Sequence, residues 1–458
     1  NHVTSIKRNY FREGIAFEPI FNLAFLEQEV NGNVFFHGLK EKKRAQLAFK
    51  NINFYGKKHR GMKYSLKEDM IKDVYTFNTI SYFHDEEKEY ELLNDWLNNG
   101  RRRVDNINRN FLYDLIDRAS KFLASQVYDT GKFRYGYFPC FDKEIDHYNI
   151  LRHASTTYSM VEAYEVTKDL DLKLAIESAL HYLVNEGMEV VTGEDGVKRA
   201  FVIERVANDE IKLGANAHAI LALSKYTTVT GNDKYKEEMN QLAEGILYFQ
   251  QEKDGSFVHV LQYPDLSVKD VYRTIYYDGE AAFALMRLYE IDENDKWLQA
   301  TERAFDYFIE AKHWRHGDHW LSYCSNELIK YKQEKKYVEF NLKNAGRRLD
   351  FCLTRETTFP TLLELIMASY NMIEKLKKDN MHLDLVEAFD QEKLMRAIEH
   401  RVDHQLNGWF CPEVAMYFKN PANILWSFFI RHHSFRVRID DIEHNISGYC
   451  SYYHNIAE

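Results

Sequence analysis

Residues 215–250 read ANAHAILALSKYTTVTGNDKYKEEMNQLAEGILYFQ. The first half is rich in Ala, Ser and Thr and carries few charges, whereas the second half places charges on one helical face and Leu, Ile, Phe or Tyr on the other. A helix of small residues can be surrounded by neighbours, while a helix with one charged face needs solvent on that side. The stretch therefore predicts a hairpin of one inner and one outer helix.

The same pattern is written twice more along the chain, which indicates a repeat. Residues 152–184 read RHASTTYSMVEAYEVTKDLDLKLAIESALHYLV, and residues 279–309 read GEAAFALMRLYEIDENDKWLQATERAFDYFI. Tyr164, Tyr226 and Tyr289 close the first helices and are spaced 62 and 63 residues apart. A looser fourth copy runs from Phe359 to His404. Successive inner and outer helices form a ring, so we expect a mainly α fold, an (α/α)5–7 toroid.

The chain breakers and the ends of the repeat define the rest of the organisation. Only 6 Pro and 20 Gly occur in 458 residues, which favours helices joined by short loops. We expect the toroid to occupy residues 106–458 and a small α+β or irregular region to occupy residues 1–105, with a helix near residues 87–100. Residues 323–353 are rich in Lys and are predicted to be a surface excursion from the ring.

The turn at residues 250–257, QQEKDGSF, adds a resemblance to the repeat. Together they resemble the six-hairpin glycosidase-type superfamily over about residues 110–455, which implies an α/α toroid and one of its activities: sugar hydrolysis, sugar epimerisation or polysaccharide lysis. The turn also resembles one found in terpene cyclases and prenyltransferase β subunits. That second likeness is structural only, because a fold does not fix a function.

Charge and cysteine content bear on partners and compartment. The formal net charge is −10 and no long basic run occurs, which argues against nucleic acid as the main partner. No apolar stretch approaches the roughly 20 residues that span a bilayer, so membrane insertion is not expected. The five scattered cysteines lack any C-x-x-C pair and favour reduced thiols and a cytoplasmic location. A carbohydrate substrate is the expected partner, and the oligomeric state stays open.

Polar residues cluster where the inner helices are expected to begin. Because a toroid gathers these helix starts at one end, side chains from separate hairpins should converge there. Any single carboxylate among them is also explained as a helix cap, whereas five polar entrances in succession favour a shared site. The candidate catalytic residues are Glu280, Glu356, Asp440, Asp441 and His153. The candidate substrate-binding residues are Tyr135, Tyr137, Arg152, Asn216, His218, Tyr276, Tyr277, Asp278, Arg355, Arg436, Arg438 and His444.

These residue types fit more than one chemistry. Glycoside hydrolysis needs one protonated and one ionised carboxyl group, and it is the favoured prediction, with Glu280 as the enclosed general acid. A uronate epimerase or polysaccharide lyase would instead use a His or Tyr base with Arg or Asn neutralising the substrate's acid. A non-catalytic toroid that binds a glycan or a protein in polysaccharide assembly is the third reading.

Signatures of cofactors and metals are not found in the sequence. It has no phosphate-binding G-x-x-x-x-G-K-[ST] loop, no G-x-G-x-x-G fingerprint and no H-E-x-x-H motif. His313, His316 and His319 are spaced three residues apart, but they are predicted to lie in a surface loop after an outer helix. We therefore expect no cofactor, and no metal because no compact ligand set accompanies the inner-helix starts.

Overall fold

The computed structural model describes residues 11–39, 44–86, 88–95 and 97–458. Its N-terminal region combines short strands with two helices, as expected. The strands are β1 (Gly14–Ala16), β2 (Ala24–Phe25), β3 (Phe36–Leu39), β4 (Arg44–Leu47), β5 (Tyr75–Phe77), β6 (Ser81–His84) and β7 (Glu89–Leu92), and the helices are α1 (Glu27–Gly32) and α2 (Phe49–His59). The prediction of a helix near residues 87–100 is wrong, because β7 pairs antiparallel with β6 there.

From residue 109 onward the chain is a succession of helices. They are α3 (Arg109–Ser125), α4 (Ile150–Thr167), α5 (Leu170–Glu186), α6 (Leu213–Thr230), α7 (Lys236–Phe249), α8 (Tyr277–Asp292), α9 (Asp295–Glu310), α10 (His319–Tyr331), α11 (Lys335–Gly346), α12 (Leu349–Thr354), α13 (Thr361–Lys378), α14 (Leu383–Ala388), α15 (Gln391–His404), α16 (Pro412–Ala415) and α17 (Ile439–Asn455). Tyr164, Tyr226 and Tyr289 lie in equivalent places, three or four residues before the ends of α4, α6 and α8.

Six of these helices form a closed inner ring. The helix α4 packs on α6, followed by α8, α10, α13 and α17, and α17 packs back on α4. The outer helices α5, α7, α9, α11 and α15 cover the helices they follow, while α3 covers α17. The predicted α/α toroid is confirmed, with six hairpins. Inner helices are buried on every side, which explains their small residues: α6 buries 14 residues out of 18.

The expected surface excursion at residues 323–353 is wrong. These residues complete α10, a buried inner helix, and form its outer partner α11 and the short α12. The lysines of α11 lie on its solvent face, while its other face is apolar, contains amides and packs on α10. On that buried face the Asn341 amide donates to the Ser322 carbonyl at 3.0 Å and to Ser325 Oγ at 2.9 Å.

Short strands decorate the ends of the helices. They are β8 (Gly136–Phe138), β9 (Lys143–Glu144), β10 (Met188–Thr192), β11 (Lys198–Glu204), β12 (Glu210–Lys212), β13 (Val260–Gln262), β14 (Ser267–Asp270) and β15 (Val437–Arg438). The strands β10 to β14 form one antiparallel sheet in sequence order. The strand β15 pairs with β8 and leads straight into α17, so this pairing fixes where the last inner helix begins.

The N-terminal region has its own hydrophobic cluster, and it packs on the toroid through Val34 and through polar contacts. Its cluster draws on residues 11–66, whereas the ring's cluster starts at Leu112. Arg102 bonds Glu413 at 2.7 Å, and the Asn33 amide donates to the Tyr417 carbonyl at 3.1 Å. Within the described residues, no helix is long and apolar enough to cross a membrane.

Candidate functional site

A cavity of about 610 Å³ opens at the N-terminal ends of the inner helices. All six inner helices enter the ring from this end, so the first turn of nearly every one contributes side chains to the wall. The lining includes Arg152 and Ser155 from α4, His218 from α6, Tyr276, Tyr277 and Glu280 around the start of α8, His319 and Trp320 from α10, Arg355, Phe359 and Thr361 before and in α13, and Arg436, Arg438, Asp440, Asp441, Glu443 and His444 around the start of α17.

One wall is a network of arginines and aspartates. Arg436 and Arg438 each present two N–H groups to Asp441 at 3.0–3.2 Å. Although burial opposes the charge, these two guanidinium groups hold the pKa of Asp441 below its ordinary value. Asp440 is held by Arg152 at 2.7 Å and Arg438 at 3.0 Å, yet burial and the neighbouring Asp441 raise its pKa. Asp441 is therefore the ionised anchor of this wall.

A second wall brings two histidines to one carboxylate. His444 Nδ1 lies 2.9 Å from Glu364 Oε1, and His319 Nε2 lies 3.9 Å from Glu364 Oε2. Burial alone would lower the pKa of His444, but the charge of Glu364 and its hydrogen bond raise it to about 9. Burial and the neighbouring His444 lower the pKa of His319 well below its ordinary value, and its Nε2 has no hydrogen-bond partner among the described residues. At neutral pH His444 is therefore protonated on both ring nitrogens, and His319 is uncharged.

Glu280 occupies a dry position deeper in the cavity. Burial, reinforced by Asp318, raises the pKa of this carboxyl well above its ordinary range. His218 Nδ1 lies 3.6 Å away but donates to the Gly214 carbonyl at 2.8 Å, and burial lowers the pKa of His218 to about 4. His218 is therefore neutral and does not form an ion pair with Glu280 at neutral pH. Gly214 is required here, because a Cβ on it would lie 2.1 Å from Glu280 Oε2.

Glu443 is a second carboxyl with a raised pKa, and it lies next to His444. Ser155 Oγ and Thr156 Oγ1 donate to its Oε2 at 2.6 and 3.0 Å. Burial nevertheless raises the pKa of Glu443 to about 8, and its Oε1 lies 3.5 Å from His444 Nε2. The site therefore holds carboxyls with raised pKa values beside a neutral and a charged imidazole, and such groups can serve acid–base chemistry.

His153 and Asn216 lie on inner helices but outside the cavity because of helical phase. His153 follows Arg152 by about 100° around α4 and faces α5, where its Nε2 donates to the Ala179 carbonyl at 2.8 Å and its Nδ1 accepts from Tyr148 at 2.7 Å. Asn216 likewise faces β11, accepting from Val202 N at 2.9 Å. Both are fully buried and hold hairpins together.

The remaining predicted residues stand behind or beside the wall. Glu356 is not brought to the cavity: its side chain is 65 % exposed and pairs with Arg12 at 3.3 Å. Tyr135 supports Arg152 NH1 through its hydroxyl at 3.2 Å, and Tyr137 bonds Asp142 within its own loop. Asp278 turns away from the cavity, 3.4 Å from His259 Nε2. The other predicted residues line the cavity: Glu280, Asp440, Asp441, Arg152, His218, Tyr276, Tyr277, Arg355, Arg436, Arg438 and His444.

Sequence reasoning missed His319, Trp320, Glu364 and Glu443. The prediction of a surface loop is wrong for His319, which begins inner helix α10 and is 2 % exposed. A signal was present: Asp318 caps α10 by accepting from Trp320 N at 2.9 Å, in the manner of an inner-helix start. The expectation that residues 323–353 leave the ring removes the α10–α11 hairpin, and with it the helix start at His319.

The expectation of a metal-free site assumed that no compact ligand set accompanies the helix starts, and the structure supplies one. One ligand atom each from His319, Glu364 and His444 lie within 4.8 Å of one another. Two imidazoles and a carboxylate are donors that zinc or iron accepts. The hydrogen bond of 2.9 Å between His444 and Glu364 pairs two of these groups without an ion, whereas His319 Nε2 has no hydrogen-bond partner among the described residues.

Comparison with known proteins supports the fold alone. No protein-family model matches the sequence, and no curated protein matches it. Among solved structures, a cellobiose 2-epimerase from Bacillus thermoamylovorans aligns over 76 % of this chain and 100 % of its own, at 14 % identity and a TM-score of 0.55. A D-mannose isomerase aligns over 77 % and 98 %, at 12 % identity and 0.55. An unsaturated glucuronyl hydrolase specific for heparin aligns over 75 % and 97 %, at 11 % identity and 0.53. These likenesses confirm the resemblance to the α/α-toroid carbohydrate-active enzymes at the level of fold.

Proposed function

We propose that this protein is a carbohydrate-active enzyme that isomerises or epimerises a sugar by moving a proton next to its carbonyl group. The observation that carries the proposal is the pair His319 and His444, two adjacent rings in one cavity with opposite protonation at neutral pH. A base that is free of its proton and an acid that holds one are what carbonyl–enediol chemistry requires. The proposal shares proton abstraction by a histidine with the uronate epimerase or polysaccharide lyase alternative, but it places the chemistry beside a carbonyl group and assigns the base to His319.

The geometry of the pair favours action on neighbouring atoms from one side. The ring centroids are 5.5 Å apart with an interplanar angle of 83°, a contact distance that leaves no room for a sugar carbon between the rings. In the proposed step, His319 Nε2 takes the proton from the carbon beside the carbonyl. The C–H electron pair forms a C=C bond, and the carbonyl oxygen takes a proton from His444, giving an enediol. His319 then returns its proton to the former carbonyl carbon. The hydroxyl on the neighbouring carbon gives its proton to His444 and becomes the new carbonyl group, so both histidines end in their starting states.

The surroundings suit a sugar. A volume of about 610 Å³ lies within the ~300–1,000 Å³ typical of small-molecule sites. Trp320, Tyr276 and Tyr277 provide ring faces, and the Asp440–Asp441 wall provides fixed donors and acceptors for hydroxyl groups. A cellobiose 2-epimerase and a D-mannose isomerase are among the solved structures with this fold. The activity of those proteins makes sugar carbonyl chemistry a reasonable first assay.

The test is hydrogen exchange from solvent. The protein would be incubated in D2O with a panel that includes D-mannose, D-fructose and cellobiose, and NMR would follow deuterium at the first two carbons and the formation of new sugars. We expect His319→Gln to reduce exchange by about 100-fold or more, the usual contribution of a positioned acid or base. His316→Gln is the matched control, since His316 lies in the same connection but outside the cavity lining.

Three results would contradict the proposal. Full exchange in the folded His319→Gln variant would remove the base. Cleavage of a glycosidic bond without exchange would identify a hydrolase. Loss of activity on chelation, together with a stoichiometric transition metal, would assign His319, Glu364 and His444 to a metal instead.

Hydrolysis is the second candidate, and the state of Glu280 favours it. A buried carboxyl with a pKa well above its ordinary range, whose Oε2 has no partner among the described residues, is suited to protonate a leaving oxygen. Its ionised counterpart would be Asp440 or Asp441, although the arginines on Asp441 weaken it as a base. If Glu280→Gln abolishes release of reducing ends from an oligosaccharide panel, hydrolysis replaces isomerisation as the assignment.

A further inference from the structure

The rim of the cavity holds several guanidinium groups, and all but one are paired with carboxylates. Arg152, Arg436 and Arg438 share the carboxylates of Asp440 and Asp441, and Arg273 pairs with Glu210 and Asp270. Arg355 lines the same cavity without a carboxylate partner among the described residues. An unpaired guanidinium in a concave, partly dry site attracts an anion.

Arg355 is the guanidinium available to a ligand. Among the described residues it has no carboxylate within 4.0 Å. Its Nε donates to Thr357 Oγ1 at 2.8 Å, and its Cζ lies 5.3 Å from the centre of the Phe351 ring and 5.7 Å from that of Phe359. The two rings contact each other, with centres 6.2 Å apart, and the guanidinium packs beside both of them. Its terminal N–H groups make no hydrogen bond within the described residues. A guanidinium held in this way can present a two-pronged donor to a carboxylate, phosphate or sulfate.

The loop that carries Arg355 is fixed from behind by buried polar groups at the end of α15. Arg401 donates to the backbone carbonyls of Arg355 and Thr357 at 3.4 and 3.3 Å. His404 Nε2 donates to the Glu356 carbonyl at 3.1 Å, and Gln405 donates to that of Pro360 at 3.1 Å. Burying the charge of Arg401 costs solvation free energy, and the arginine uses its N–H groups only on backbone carbonyls. These bonds fix the position of the loop before a ligand binds.

We infer that the cavity binds a sugar bearing an anionic group, a carboxylate or a phosphate or sulfate ester, and that Arg355 contacts this group. The inference rests on the proposed function in taking the substrate to be a sugar, and it adds the charge class. The Arg436–Arg438 wall would accept hydroxyl groups or a second oxygen of the anion. A neutral sugar would leave the terminal N–H groups of Arg355 without an anionic partner in the bound complex.

Calorimetric titration tests the charge class without turnover. The ligands are D-glucuronate, D-glucose 6-phosphate, D-glucose 6-sulfate, D-glucose, and inorganic sulfate and phosphate alone. We expect at least one anionic sugar to bind about tenfold or more tightly than D-glucose, and the strongest of the three identifies the anion. Arg355→Gln should remove most of this preference, and Arg355→Lys should retain part of it. Arg347→Gln, an exposed arginine outside the lining, should keep it in full.

Four outcomes would overturn the inference: equal binding of neutral and anionic sugars, no binding of either, an unchanged preference in Arg355→Gln, or inorganic anions that bind as tightly as the anionic sugars. The proposed reaction fails separately. If the folded His319→Gln variant retains full hydrogen exchange while the anion preference is present, the isomerase assignment falls and the substrate class stands. If exchange depends on His319 but neutral sugars bind best, the reverse holds.

Discussion

Replacing Glu364 with Gln should lower the pKa of His444 and convert the proton donor of the site into a neutral ring. Glu364 Oε1 lies 2.9 Å from His444 Nδ1, and it is the main group that opposes the effect of burial on this histidine. The amide of Gln has nearly the shape of the carboxylate and can still accept the hydrogen bond. The substitution therefore removes the charge and leaves the packing.

The expected magnitude follows from the pKa of about 9 against the ordinary 6.5. This difference corresponds to about 3 kcal/mol at 1.36 kcal/mol for each pKa unit. The side chain of His444 is 25 % exposed toward the cavity, so solvent screening reduces the figure. We expect the pKa to fall by at least ~1.5 units, to below ~7.5. Because folding raises the pKa of His444, its protonation stabilises the folded state. This stabilisation is complete below pH 6.5 and is lost as the pH rises through 9.

The measurement is an NMR titration of protein labelled with 13C at histidine Cε1. The His444 signal is assigned by its absence in His444→Gln. Glu374→Gln is the matched control, since Glu374 lies on the same helix but on its exposed face. The stability of each variant would be followed by urea unfolding between pH 6 and 10.

An unchanged titration in Glu364→Gln would refute the reasoning, because Glu364 would then not be the group that holds the proton. A fall in the control of similar size would point to a general electrostatic effect instead. If activity is found, its alkaline limit should lie near pH 9 in the wild type and move with the titration of His444.

Other expected outcomes follow from single contacts. Gly214→Ala should displace the Glu280 carboxyl, whose Oε2 would lie 2.1 Å from the new Cβ, and so weaken ligand binding in calorimetry and lower Tm. His153→Phe should cost about 1–3 kcal/mol in unfolding by leaving two buried groups unpaired, while hydrogen exchange per folded molecule stays unchanged. Glu356→Gln should alter neither stability by more than about 0.5 kcal/mol nor exchange, since its ion pair is exposed. Dialysis against a chelator should leave exchange intact, because the hydrogen bond between His444 and Glu364 needs no ion.

The histidines show how far the sequence could be read. His218 and His444 follow polar starts of inner helices, and repeat spacing was enough to place them near the mouth of the ring. His319 has the same position on α10, but the Lys-rich outer helix α11 hid the hairpin that it begins. Glu364 stands one turn inside α13 among Leu362, Leu363 and Leu365, with no motif to separate it from a core residue.

What the sequence determined by itself is the ring: alternating helices with small-residue and one-sided charged patterns can bury their faces only in paired layers, and the tyrosine spacing set the repeat. What tertiary structure alone decided is which of the residues at the helix starts meet. His153 and Arg152 are neighbours in sequence, yet a step of about 100° sends one toward α5 and the other into the cavity. The protonation state of His319 depends on burial and on the neighbouring His444. That of His444 depends on burial and on Glu364, which lies 80 residues away in sequence and 2.9 Å away in space. A pKa depends on which groups are near in space, and the order of residues along the chain does not give those distances.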